Sequence, residues 1–93
     1  MLKSIKKTPT YSNKKYVAEF SNGKRVSFGG KGYSDYTKHK DKARRERYRK
    51  RHAFDNLNDP YSPGSLSYYL LWGDSTSLRE NIKNFNKMFR DVF

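Results

Sequence analysis

The sequence predicts a small α+β fold, a single domain in which an N-terminal β-hairpin is followed by a basic helix and two further short helices. Apolar residues alternate on both sides of Asn22-Gly23, a run of helix-favouring basic residues follows Asp41, and after Ser77 apolar residues recur at spacings of four and three. With 93 residues, 33% of them hydrophobic, the chain makes one domain at most and buries only a small core.

Residues 1–13 are basic and polar, with Pro9 and no apolar period, and read as an extended arm available for contact; the domain proper is assigned to residues 14–93. From Tyr16 a period of two begins, placing Tyr16, Ala18, Phe20, Val26 and Phe28 on one face of a hairpin, with Asn22-Gly23 supplying positive φ angles for a tight turn. Gly29-Gly30-Lys31-Gly32 ends the second strand. It matches neither G-x-x-x-x-G-K-[ST] nor G-x-G-x-x-G, so a plain turn is favoured over a phosphate-cradling loop.

Ser34 or Asp35 can cap a short turn through Tyr36, and Asp41 can cap a helix from Lys42 to about His52. That helix has no wide apolar stripe, which leaves Tyr36, Ala43, Tyr48 and Phe54 as its expected anchors to the core. Asp55 to Gly64 is dense in turn formers. Ser62, with Pro63 at the first helical position, opens a helix over 64–72 that Gly73 ends, with Leu66, Tyr69, Leu70 and Trp72 as buried candidates. Ser77 and Glu80 form a capping box for the last helix, whose seam is Leu78, Ile82, Phe85, Phe89 and Val92. A small domain needs such a seam for its own core, so internal packing is expected rather than docking on another chain.

Function is read mainly from charge. The chain carries +12, distributed as +6 over residues 1–37, +7 over 38–52 and −1 over 53–93. Within the middle block Lys38, Lys40, Lys42, Arg44, Arg45, Arg47, Arg49, Lys50 and Arg51 face only Asp41 and Glu46. Charge this dense repels itself unless a polyanion, an acidic protein surface or counterions neutralise it, so these nine residues are the candidate anion- or partner-binding set. Tyr33, Tyr36, Tyr48 and Trp72 are candidate contact or core aromatics, and Tyr11 and Tyr16 also lie among the charges. Aromatics form 16% of the chain and are favoured at interfaces, so a neighbour can supply part of the core.

Chemistry has little support. Without cysteine there is no disulfide, thiolate nucleophile or cysteine zinc site, and His39 and His52, thirteen residues apart and embedded in positive charge, make a poor metal pair. The carboxylates fall at caps, turns or among arginines, and no nucleophile motif is present. An enzyme, a cofactor and a small-molecule substrate are not expected. Nor is a leader peptide, and the longest apolar stretch, Tyr68 to Trp72, is far short of the roughly 20 residues that cross a bilayer, so a soluble or peripheral protein is expected.

The run from Val26 to Asp41 (VSFGGKGYSDYTKHKD), continued by Arg44, Tyr48, Arg51-His52, Asn58-Asp59-Pro60, Gly64 and Leu71-Trp72, resembles small basic proteins encoded by large nucleocytoplasmic DNA viruses of algae and protists. The similarity spans roughly Tyr16 to Ile82. It implies a virion component made in the host cytoplasm or virus factory, and it supplies no catalytic residues. The expected role is a minor capsid or cement protein binding other capsid proteins, acidic surfaces or inner-membrane headgroups; the alternative is a sequence-independent viral DNA-binding protein.

Overall fold

The computed structural model describes residues 1–9 and 12–93. One antiparallel sheet contains β1 (Leu2–Lys7), β2 (Lys14–Phe20) and β3 (Arg25–Gly30) in that order. In the β2–β3 hairpin Tyr16 lies opposite Phe28 and Ala18 opposite Val26, so the alternating residues share the face that packs on the core. The turn is looser than a two-residue connection. Gly23 alone takes a positive φ, its N–H donates to the Phe20 carbonyl, and the Asn22 side chain accepts from Lys24 N–H.

The expected arm is extended but is not free, because Leu2–Lys7 pairs with β2 as an edge strand. Two contacts outside the local sequence hold it. The Asn86 side chain accepts from Leu2 N–H at 2.8 Å and donates to the Leu2 carbonyl at 2.9 Å, and the Leu2 side chain is buried in the core. On the outer face Glu19 meets Lys6 at 3.1 Å and Arg25 at 3.8 Å, placing a carboxylate between cations of the flanking strands.

Four helices follow: α1 (Tyr36–His39), α2 (Lys42–Arg51), α3 (Pro63–Leu66) and α4 (Leu78–Met88). Their starts follow local cap chemistry, with Asp35, Asp41, Ser62 and Ser77 each accepting from N–H groups of the first turn. The capping box before α4 is half formed, since Ser77 N–H donates to Ser75 Oγ while Ser77 Oγ accepts from Glu80 N–H. After α3 the chain widens into a π-helical turn over Ser67–Leu71, closed by Trp72 N–H on the Ser67 carbonyl. Three consecutive buried residues, Leu70, Leu71 and Trp72, do not fit a single α-helical stripe, and the wider turn accommodates them.

The core lies between the sheet and these helices, with Phe28, Leu66, Leu70 and Phe85 fully enclosed. α4 packs internally, on β1 and the π-turn. One residue of the expected seam is outside it: Val92 is exposed, and Phe93 packs against Phe20, Phe85 and Phe89 instead. Of the expected anchors of the basic helix, Tyr36 and Tyr48 pack on the core, whereas Ala43 is exposed and Phe54 is 99% exposed. Phe54 lies in the turn after α2, past the last helical residue, where nothing turns its ring toward the core.

Candidate functional site

Three segments enclose a cleft of about 630 Å³: the end of β3 with the turn through Asp35, the α2 helix, and the π-turn with Trp72. The corner that sets α2 across from the β3 turn is built from local bonds. Asp35 caps α1, Lys40 ends it in a left-handed conformation (φ 57°), and His39 Nδ1 accepts from Asp41 N–H at 3.0 Å as Asp41 caps α2.

Helical geometry then divides the basic block. At about 100° per residue, Arg44, Arg47 and Arg51 fall within roughly 60° of arc, with Tyr48 beside them and Arg45 and Arg49 further round. Arg44, Arg47 and Arg51 line the cleft, and none makes an ion pair or side-chain hydrogen bond among the described residues. Arg45 and Arg49 are turned to the body. Arg45 Nε donates to the Gly73 carbonyl at 2.6 Å and its guanidinium meets Asp74 at 2.7 Å, while Arg49 donates to the Trp72 carbonyl at 2.8 Å and lies over the Tyr68 ring. Lys38, Lys40, Lys42 and Lys50 are exposed outside the cleft. The nine residues read as one surface are therefore three groups: a cleft row, a clamp on the helix and an outer fringe.

The cleft floor is aromatic. Tyr48 is sandwiched between Trp72 (centroids 4.2 Å apart, planes 5° apart) and His52 (4.2 Å, 29°), and His39 packs on Trp72 at 5.1 Å. Burial pushes the Tyr48 phenol up to about 12, so it stays neutral and is a poor nucleophile at physiological pH. Tyr36 is in the core beneath Arg45, and Tyr16 packs on Phe28. Tyr33 stands apart: it lines the cleft and is 77% exposed. Tyr11 lies outside the described residues.

Charge at the cleft is positive overall. Lys15 Nζ meets Asp35 at 2.9 Å, and Asp35, 1% exposed, also accepts from Thr37 N–H, so this buried carboxylate is paired and contributes no net charge with its lysine. His52 is joined to Asp55 at 2.8 Å. No group of three or more His, Cys, Asp or Glu that could hold a metal occurs among the described residues. No helix among them is long and apolar enough to cross a membrane.

Lys15, Asp35, Ser67 and Leu71 belong to the cleft lining without having been singled out for it from sequence. One sequence signal points toward part of this set. The glycine run 29–32 permits close approach, and a Cβ at Gly29, where φ is 79°, would lie 3.2 Å from Leu71 and 3.3 Å from Lys15 Cβ.

No curated protein and no solved structure matches the chain. Residues 5–52 match a family of unknown function (DUF5754). The matched segment carries the second half of β1, then β2, β3, α1 and α2, and so contains the arginine row and the glycine turn but not the π-turn opposite them. That segment is just over half of the chain, and the protein therefore belongs to the DUF5754 family of unknown function.

Proposed function

We propose that this protein is a non-enzymatic, sequence-independent nucleic-acid-binding protein that holds phosphates along the cleft face of α2. One observation carries the reading: Arg44, Arg47 and Arg51 share one side of a capped helix, unpaired within the described chain, beside an exposed tyrosine. Guanidinium groups in a row bind phosphates in a salt-dependent way and give affinity without base readout. In the setting that the viral resemblance implies, the ligand is viral DNA in the virion or virus factory.

A shell or cement role is the second reading, supported by Phe54, whose whole ring is exposed at the edge of the basic region. It ranks lower because most of the large aromatics, among them Phe20, Phe28, Trp72, Phe85 and Phe89, are spent in this chain's own core.

The test is nucleic-acid binding measured over a salt series. With three arginines engaged, log Kobs is expected to fall against log salt with a slope of about −2 or steeper. Changing Arg44, Arg47 and Arg51 together to glutamine should remove most of the binding and leave the circular dichroism spectrum unchanged. Binding already lost near about 0.15 M salt, or indifferent to the triple change, overturns the reading. Phe54→Ser impairing particle incorporation while DNA binding persists would favour the shell role.

A further inference from the structure

We infer that the cleft takes single-stranded nucleic acid in preference to duplex, with one unstacked base lying on Tyr33 while consecutive phosphates follow Arg44, Arg47 and Arg51; this rests on the nucleic-acid reading above. Access favours a single strand. The free arginines do not crown a protruding helix of the kind that enters a major groove, because they face the turn through Tyr33 and Asp35 across a cleft. A duplex approaching the row meets that turn, whereas a single flexible strand can thread between the two walls. The cleft volume of about 630 Å³ is in the range that encloses a small ligand, which fits a nucleotide and not a double helix.

The supply of open rings favours it as well. Tyr48 has both faces covered, by Trp72 and His52, and therefore presents only its edge. Tyr33 is mostly exposed and is held against the backbone of Gly30, where a Cβ would come within 2.7 Å of the ring. With that ring edge near the glycine and most of the residue exposed, a face of the ring is open to solvent, and such a face stacks any base without selecting among them. Arginine row and stacking platform are thus on opposite walls of one cleft, as a strand with phosphates on one side and bases on the other requires. The row spans about 10 Å of helix axis, enough for two or three phosphates of an extended strand.

The experiment compares fluorescence anisotropy of a labelled oligothymidylate, a duplex of matched phosphate count, and heparin as a polyanion without bases. The single strand is expected to bind about tenfold or more tightly than the duplex, and Tyr33→Ala to erase that difference while leaving duplex and heparin affinity unchanged. Gly30→Ala, which pushes the ring aside without removing it, should give a smaller loss in the same direction. Tyr33 is exposed, so its replacement leaves the fold intact and the comparison interpretable. Duplex binding as tight as single-strand binding, or a Tyr33→Ala protein with unchanged single-strand affinity, overturns the inference while the nucleic-acid reading stands. Failure of both nucleic acids to bind overturns the two together.

Discussion

Tyr48 makes the packing of the cleft floor measurable through pH. Its phenol is buried in a stack and stays protonated to about 12, whereas an unfolded tyrosine ionises near 10. Below about 10 both states are neutral and the group has no effect on stability. Between about 10 and 12 the unfolded chain releases the proton and the folded one keeps it, so stability falls as pH rises through that window. Urea melts across this range should show the decline, and Tyr48→Phe should flatten the part that belongs to this residue. At the same scale, Asn81 was not legible in the sequence. It is 1% exposed, donates to the Leu70 and Ser75 carbonyls and accepts from Ser75 N–H, yet by position it is only a polar residue next to the apolar seam of α4. Its burial follows from the Leu70 carbonyl of the π-turn and the Ser75 backbone that meet it, which no local rule supplies.

Among the elements, α2 is the one that hydrophobicity does not explain. No residue of it is fully buried, and charge-assisted hydrogen bonds from Arg45 and Arg49 to the carbonyls of Gly73 and Trp72 hold it in place. Bonds of this kind contribute about 1.5–3 kcal/mol each when well enclosed, and Asp74, being exposed, adds little to the pair it makes with Arg45. Arg45→Gln and Arg49→Gln should each destabilise the protein by about 1–3 kcal/mol, with amides of residues 42–51 exchanging faster, while the salt slope of nucleic-acid binding stays as in the parent. The complementary changes at Arg44, Arg47 and Arg51 should relieve repulsion without loosening the helix. Helix starts were legible because a cap acts over three residues, as at Asp35, Asp41, Ser62 and Ser77. The split of the arginines was not, since it depends on where a turn more than twenty residues away places two carbonyls.

Over the whole molecule, the α+β class and the shared face of the hairpin were legible because alternation specifies them locally, whereas the looser turn departs from the tight connection expected at Asn22-Gly23. The first strand was not, because β1 has little apolar pattern and gains its place from Asn86, 84 residues away. Asn86→Ala should release the start of β1 at a cost of about 1–3 kcal/mol, seen as faster amide exchange at residues 2–7 with little change at 25–30. The same clasp orders events in time. β1 is made 84 residues before the side chain that clasps it, so during synthesis the sheet carries an unfinished edge. Until α4 arrives, that edge is open to proteases, to chaperones and to the matching strand of a second nascent copy on the same message.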